Sequence, residues 1–267
     1  MPASWLLLAA SIFGLGLNAD DHLAPRDAPF YSRASVVNAA DNQSGAFAPN
    51  TIGTIYGTNL AYATVALSAD EVHGGTIPSV LPGTGVEVLV GGIPAGIYYV
   101  CPTQINFLIP SILTPGPSDV LVAIDGLHGP DIPVQISAAA PAFFQLDAGD
   151  VIATLPDGTV ITPQAPAKPG DIVVLYATGL GAVVPPLDDR EVSTAAQWIQ
   201  NLADLKITLD GAAIDSTRIL YAGVAPGFAG LYQINLQLPA TVGANPAIRA
   251  TVAGQSSPAG LTLPVEP

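Results

Sequence analysis

The chain has 267 residues, 49% of them hydrophobic and only 10% charged. That balance excludes disorder, which needs low hydrophobicity and high charge. A net charge of −14 with no basic run excludes nucleic acid and anionic membrane surfaces as partners, leaving solubility after export or a cationic partner to account for the acidity.

The 27 glycines and 26 prolines are spread without a three-residue period, which excludes collagen and fits short strands between turns. At the N-terminus, Trp5 to Leu17 is an apolar run closed by Asn18-Ala19 and the pair Asp20-Asp21. It is short for a bilayer span and has the length of a signal-peptide core, with cleavage expected after Ala19. The n-region has no Lys or Arg and Leu17 is large for its place, so an uncleaved anchor or a misplaced start codon are the alternatives. Beyond this segment no membrane contact is expected. A linker is expected over 20–34.

From there the chain is written twice. Tyr56-Gly57-Thr58-Asn59-Leu60 is echoed by Tyr176-Ala177-Thr178-Gly179-Leu180. Gln104-Ile105-Asn106-Phe107-Leu108-Ile109-Pro110 is echoed by Gln233-Ile234-Asn235-Leu236-Gln237-Leu238-Pro239, in the same order. The second echo lies nine residues further on than the first, which places an insertion around 188–201. Two homologous domains are expected, at 35–138 and 143–267, joined by a linker at 139–142.

Within each copy the apolar residues alternate. Val86, Val88 and Val90, then Leu205, Ile207 and Leu209, then Ile234, Leu236 and Leu238 each mark a strand with one buried face. Further strands are expected at 51–56, 97–101, 120–124, 132–136, 171–177, 218–222, 247–252 and 261–265. Pro156-Asp157-Gly158 reads as a hairpin turn. One short helix is expected, over 194–202, carrying Trp198. The fold class is therefore all-β: two tandem immunoglobulin-like antiparallel β-sandwiches without the Cys…Trp…Cys pattern of antibody domains.

The stretches Val36-Val37-Asn38-Ala39-Ala40, Ile55 to Leu60, Val90-Gly91-Gly92, Ala177 to Gly181, Tyr221-Ala222-Gly223 and Gly230 to Asn235 together resemble the Solibacter uncharacterized C-terminal domain family. The resemblance covers nearly all of the mature chain. It implies secretion by a bacterium and, in each half, an IPT/TIG-like immunoglobulin-like unit. It supplies no catalytic residues, and Cys101-Pro102 departs from the family's usual small residue before proline.

Candidate chemistry is sparse. His22, His73 and His128 lie in a tail or in turns, with no nucleophile elbow and no clustered metal ligands, so no catalytic residue, metal or cofactor is assigned. Asp125 with Asp131, Asp147 with Asp150, and Asp188 with Asp189 lack calcium-loop spacing and read as turn residues. Cys101 is either a small buried hydrophobe or the partner of an intermolecular disulfide. Exposed aromatics on a sandwich can stack on sugars, which makes Trp198, Tyr98 and Tyr99 weak ligand candidates, with Phe143-Phe144 expected between the domains. Gln104 and Asn106 recur as Gln233 and Asn235, and with Asn59 they read as structural motif residues; Asn106 and Asn235 are expected to bond backbone near a turn. Asn42-Gln43-Ser44 is a formal glycosylation sequon. The sequence points to a secreted or cell-surface, non-catalytic interaction module. Its partner is a protein or a glycan, and the alternatives are a carbohydrate-binding module or an accessory subunit of an extracellular enzyme.

Overall fold

The computed structural model describes residues 27–146 and 149–267. The expected signal peptide, His22 and Asp147 lie outside the described residues. Strands make up 43% of the structure, and the described residues contain no α-helix, only short 3-10 turns.

The first copy holds β1 (Val36–Asn38), β2 (Ala46–Phe47), β3 (Ile52–Tyr56), β4 (Val65–Ala66), β5 (Val86–Val90), β6 (Ile93–Pro94), β7 (Gly96–Cys101), β8 (Gln104–Leu108), β9 (Gly116–Ile124), β10 (Leu127–His128) and β11 (Ile132–Ile136). The second holds β12 (Ala142–Phe143), β13 (Ala153–Thr154), β14 (Ile172–Thr178), β15 (Val183–Val184), β16 (Gln197–Ile199), β17 (Lys206–Leu209), β18 (Ala212–Ala213), β19 (Ile219–Val224), β20 (Tyr232–Gln237), β21 (Ile248–Val252) and β22 (Gln255–Ser256).

The repeat is visible in the topology. One sheet of the first copy runs β1-β3-β8-β7-β4, and one sheet of the second runs β12-β14-β20-β19-β16-β15. The facing sheets run β2-β11-β9-β5-β6 and β18-β17-β21-β22. Both copies are immunoglobulin-like sandwiches, antiparallel except where β2 joins β11 and where single bridges join Asp150 to Thr262 and Ala167 to Val265 in parallel. In each copy two hairpins of the facing sheet turn through a pair of left-handed residues: Gly91-Gly92 and Asp125-Gly126, then Asp210-Gly211 and Ala253-Gly254. Such turns match the right-handed twist of the strands they join.

Alternation buries one face of β5, β11, β14, β20 and β21. Val86, Val88 and Val90 are fully buried in the first core with Phe47, Ile55, Ile105 and Phe107. Ile207, Ile234, Leu236 and Leu238 are fully buried in the second with Val173 and Leu175. Two expectations are corrected. Residues 194–202 are not a helix, because β16 lies across them with Gln197 and Ile199 buried and Trp198 outside, a two-residue period. Residues 261–265 form single bridges to Asp150, Ala247 and Ala167 rather than a ladder strand, although Leu261, Leu263 and Val265 are buried. The Pro156-Asp157-Gly158 hairpin turn is present: Gly158 N–H donates to Leu155 O at 2.9 Å, Leu155 N–H to Thr159 O at 2.8 Å, and Thr154 bridges Val160 antiparallel.

The two copies meet over buried surface. Ile77, Leu108 and Ala229 form one small apolar cluster, and Ala40, Ala142, Phe144 and Ile152 form another. Phe143 and Phe144 therefore part ways, the first into the second core and the second into the junction. Ile52 N–H donates to Thr178 Oγ1 at 3.0 Å, and that hydroxyl donates to Gly230 O at 2.8 Å. The segment where the insertion was expected reaches back to the first copy. Ile77 N–H donates to Arg190 O at 3.0 Å, Val192 N–H to Gly75 O at 2.7 Å and Ser111 N–H to Asp189 Oδ1 at 3.2 Å.

Candidate binding face

Cross-strand partners in an antiparallel sheet point to the same side. On the outer side of the second copy's larger sheet, register pairs Val184 with Trp198, Trp198 with Gly223, Gly223 with Gln233 and Gln233 with Tyr176. These five positions form one row across β15, β16, β19, β20 and β14. A second row beside it carries Tyr221, Asn235, Val174 and Thr154.

Side chains tie the rows together. The Trp198 and Tyr221 rings meet edge to face, centroids 5.0 Å apart and planes at 65°. Tyr221 lies over Gly223, where a Cβ would come within 2.5 Å of its hydroxyl and 2.0 Å of Gln197 O. That hydroxyl accepts from Gln197 N–H at 3.0 Å and donates to Val224 O at 2.8 Å, and burial raises its pKa. The Gln197 side chain is fixed by Ser193 Oγ, which donates to Oε1 at 2.7 Å, and by Pro185 O at 3.2 Å from Nε2. Gln233 Nε2 donates to Asn235 Oδ1 at 3.2 Å. Trp198 is 39% exposed and Val184 55% exposed on this braced frame.

The other aromatic candidates are not available for stacking. Tyr98 is the extra residue of a β-bulge in β7, between Ile97 and Tyr99, and its hydroxyl donates to Ala229 O across the junction. Tyr99 retains 8% exposure. In the second copy the bulge recurs between Ile219 and Tyr221, where Leu220 is 43% exposed. Tyr99 and Tyr221 are thus equivalent, each opposite an asparagine of the repeated motif.

The motif asparagines bond side chains rather than turn backbone. Asn106 Oδ1 accepts from Thr54 Oγ1 and from Gln104 Nε2, both at 2.9 Å. The reason is register: Thr54, Asn106 and Gln104 share one face, so the hydroxyl and the amide meet across it. Asn59 is left-handed at φ 58°, as is Gly179 at φ 75°, and Leu60 and Leu180 behind them are buried. Cys101 is half-exposed rather than buried, 3.5 Å from Thr103 Oγ1, because it points to the outer side of β7 opposite Gln104. His73 and His128 are exposed. Asp125 occupies a hairpin turn, and Asp188 and Asp189 contact the first copy at Ser111. Among the described residues no three His, Cys, Asp or Glu side chains gather to hold a metal ion, and no helix is long and apolar enough to cross a membrane. Sequence reading found Trp198 and Gln233 but missed Gln197, Tyr221 and Gly223, whose roles depend on a bulge and a strand that periodicity did not reveal.

No known protein-family profile matches the chain, and no curated protein matches it. Solved structures share the sandwich architecture. Similar ones include SGBP-B of a Bacteroides ovatus mixed-linkage glucan utilization locus, in complex with a mixed-linkage heptasaccharide, at 12% identity and a TM-score of 0.35, covering 90% of this chain and 47% of that one. The surface glycan-binding protein PbSGBP-B of Prevotella bryantii matches at 12% identity and a TM-score of 0.28, over 81% of this chain and 37% of that one. The tandem Ig repeats of Dlar match at 11% identity and a TM-score of 0.20, over 90% and 95%. The chain spans less than half the length of the two glycan-binding proteins.

Proposed function

We propose that this protein is an exported, non-catalytic recognition module whose second sandwich presents a binding face to a partner outside the cell. The observation that supports it is Trp198, a large aromatic left 39% exposed while Tyr221, Gln197 and Ser193 fix the strand beneath it. Exposed aromatics on rigid frames anchor ligands at low entropic cost. Export rests on the apolar run from Trp5 to Leu17, and the family resemblance of the repeated motifs accords with it.

The test is saturable capture of soluble extracellular polymer from a bacterial culture by the immobilised protein, read optically. Binding that falls at least about tenfold in Trp198→Ala supports the reading, since a buried aromatic anchor is worth more than 1.4 kcal/mol. No binding, or equal binding by both forms, overturns it.

A further inference from the structure

We infer that the outer face carrying Trp198 takes a neutral polysaccharide chain, an inference that rests on the recognition reading above. Three features point to that chemistry. First, no residue of the two rows is charged: Val184, Trp198, Gly223, Gln233 and Tyr176 in one, Tyr221, Asn235, Val174 and Thr154 in the other. A chain of net charge −14 repels polyanions, so an uncharged face within it suits a ligand that bonds through hydroxyls alone. Second, rings and amides sit side by side. The Trp198 ring offers an apolar surface to the C–H side of a sugar. One Gln233 N–H is used on Asn235 Oδ1, which leaves Gln233 Oε1 and the Asn235 Nδ2 protons to accept from and donate to hydroxyls. Third, from Val184 to Gln233 the row crosses three strand spacings, about 14 Å, on a sheet surface rather than a closed pocket, before Tyr176 packs against the junction cluster. That shape accepts a stretch of polymer and would bury little of a single sugar.

The repeat supports a gain in the second copy. Gly223 occupies the place of Cys101, each opposite the first glutamine of the motif. Thr64, just before β4, stands where Trp198 stands, so the buried Tyr99 has no tryptophan to support, whereas the equally buried Tyr221 backs Trp198. The first copy's version of this face lacks the exposed ring.

Affinity electrophoresis of the purified protein through gels holding β-glucan, xylan, galactomannan or starch, against polygalacturonate and alginate, tests the inference. At least one neutral polymer should retard the protein. Trp198→Ala should abolish retardation. Gln233→Ala and Asn235→Ala should each weaken it about tenfold, the loss of one or two ligand hydrogen bonds. Adding oligosaccharide should shift tryptophan emission, and the shift should be absent in Trp198→Phe, which keeps the packing on Tyr221. Thermal midpoints of the variants serve as the folding control. Retardation by polyanions alone, by no glycan, or equally in Trp198→Phe and wild type overturns the inference. In the polymer-capture test, Trp198-dependent binding that survives periodate but not protease overturns the glycan chemistry and leaves the recognition reading standing. Absence of any Trp198-dependent binding overturns both.

Discussion

Asn59 and Gly179 hold the same place in the two copies and the same left-handed backbone, yet they are not interchangeable. A Cβ at Gly179 would lie 2.1 Å from Ala140 O, where the chain passes from one copy to the other. Asn59 is exposed, its Nδ2 3.5 Å from Ala28 O. Asn59→Gly should therefore change stability by less than about 1 kcal/mol, the entropic cost of glycine. Gly179→Asn should cost more than about 2 kcal/mol despite matching its counterpart, because backbone must move. Chemical denaturation of both variants checks the contrast, and equal losses would refute it. The sequence revealed the recurrence of Tyr-x-Thr-x-Leu and the buried leucines. It could not reveal why one copy has asparagine and the other glycine, since the difference arises from a contact between the copies.

Strands with one buried face were legible because alternation is imposed by burial itself: Val86, Val88 and Val90 could face nowhere else. The bulges in β7 and β19 were not, because an extra residue breaks the alternation that marks a strand. Tyr98-Tyr99 thus read as a pair on opposite faces, whereas the bulge sends Tyr98 to the junction. The stretch around Trp198 read as helix because β16 is three residues long and is defined by its neighbours β15 and β19. Gly223 is the weak point of that arrangement. Gly223→Ala should push the Tyr221 hydroxyl and Gln197 O aside, with a cost of about 1–3 kcal/mol for overpacking. Trp198 should lose its edge-to-face contact, so its emission should move to the red in the native state. An unchanged spectrum would show that Tyr221 does not support the ring.

At the scale of the whole molecule, two buried phenols govern the response to alkali. Burial raises the pKa of Tyr98, at the junction, and of Tyr232, in the second core beside Asn50, well above the ordinary phenol range. A group whose folded pKa exceeds its unfolded one contributes stability in full below the unfolded value and loses it as pH rises toward the folded one. The denaturation midpoint should therefore hold from pH 7 to 9 and fall steeply above pH 10. Tyr98→Phe should start lower, by about 1–3 kcal/mol for the orphaned Ala229 carbonyl, and fall less steeply. A slope identical to wild type would remove Tyr98 from the explanation.

The segment from Asp188 to Val192 does more than fill an insertion. It pairs with residues 75–77 while the chain itself passes between the copies after Ile136. Two attachments at separate places leave only the line through both as an axis of free turning, and the buried clusters around Phe144 and around Ile77 resist rotation about it. A single peptide connection is a swivel. This joint transmits torque, so a load applied at the Trp198 face would be carried into the first sandwich as a twist of the whole pair.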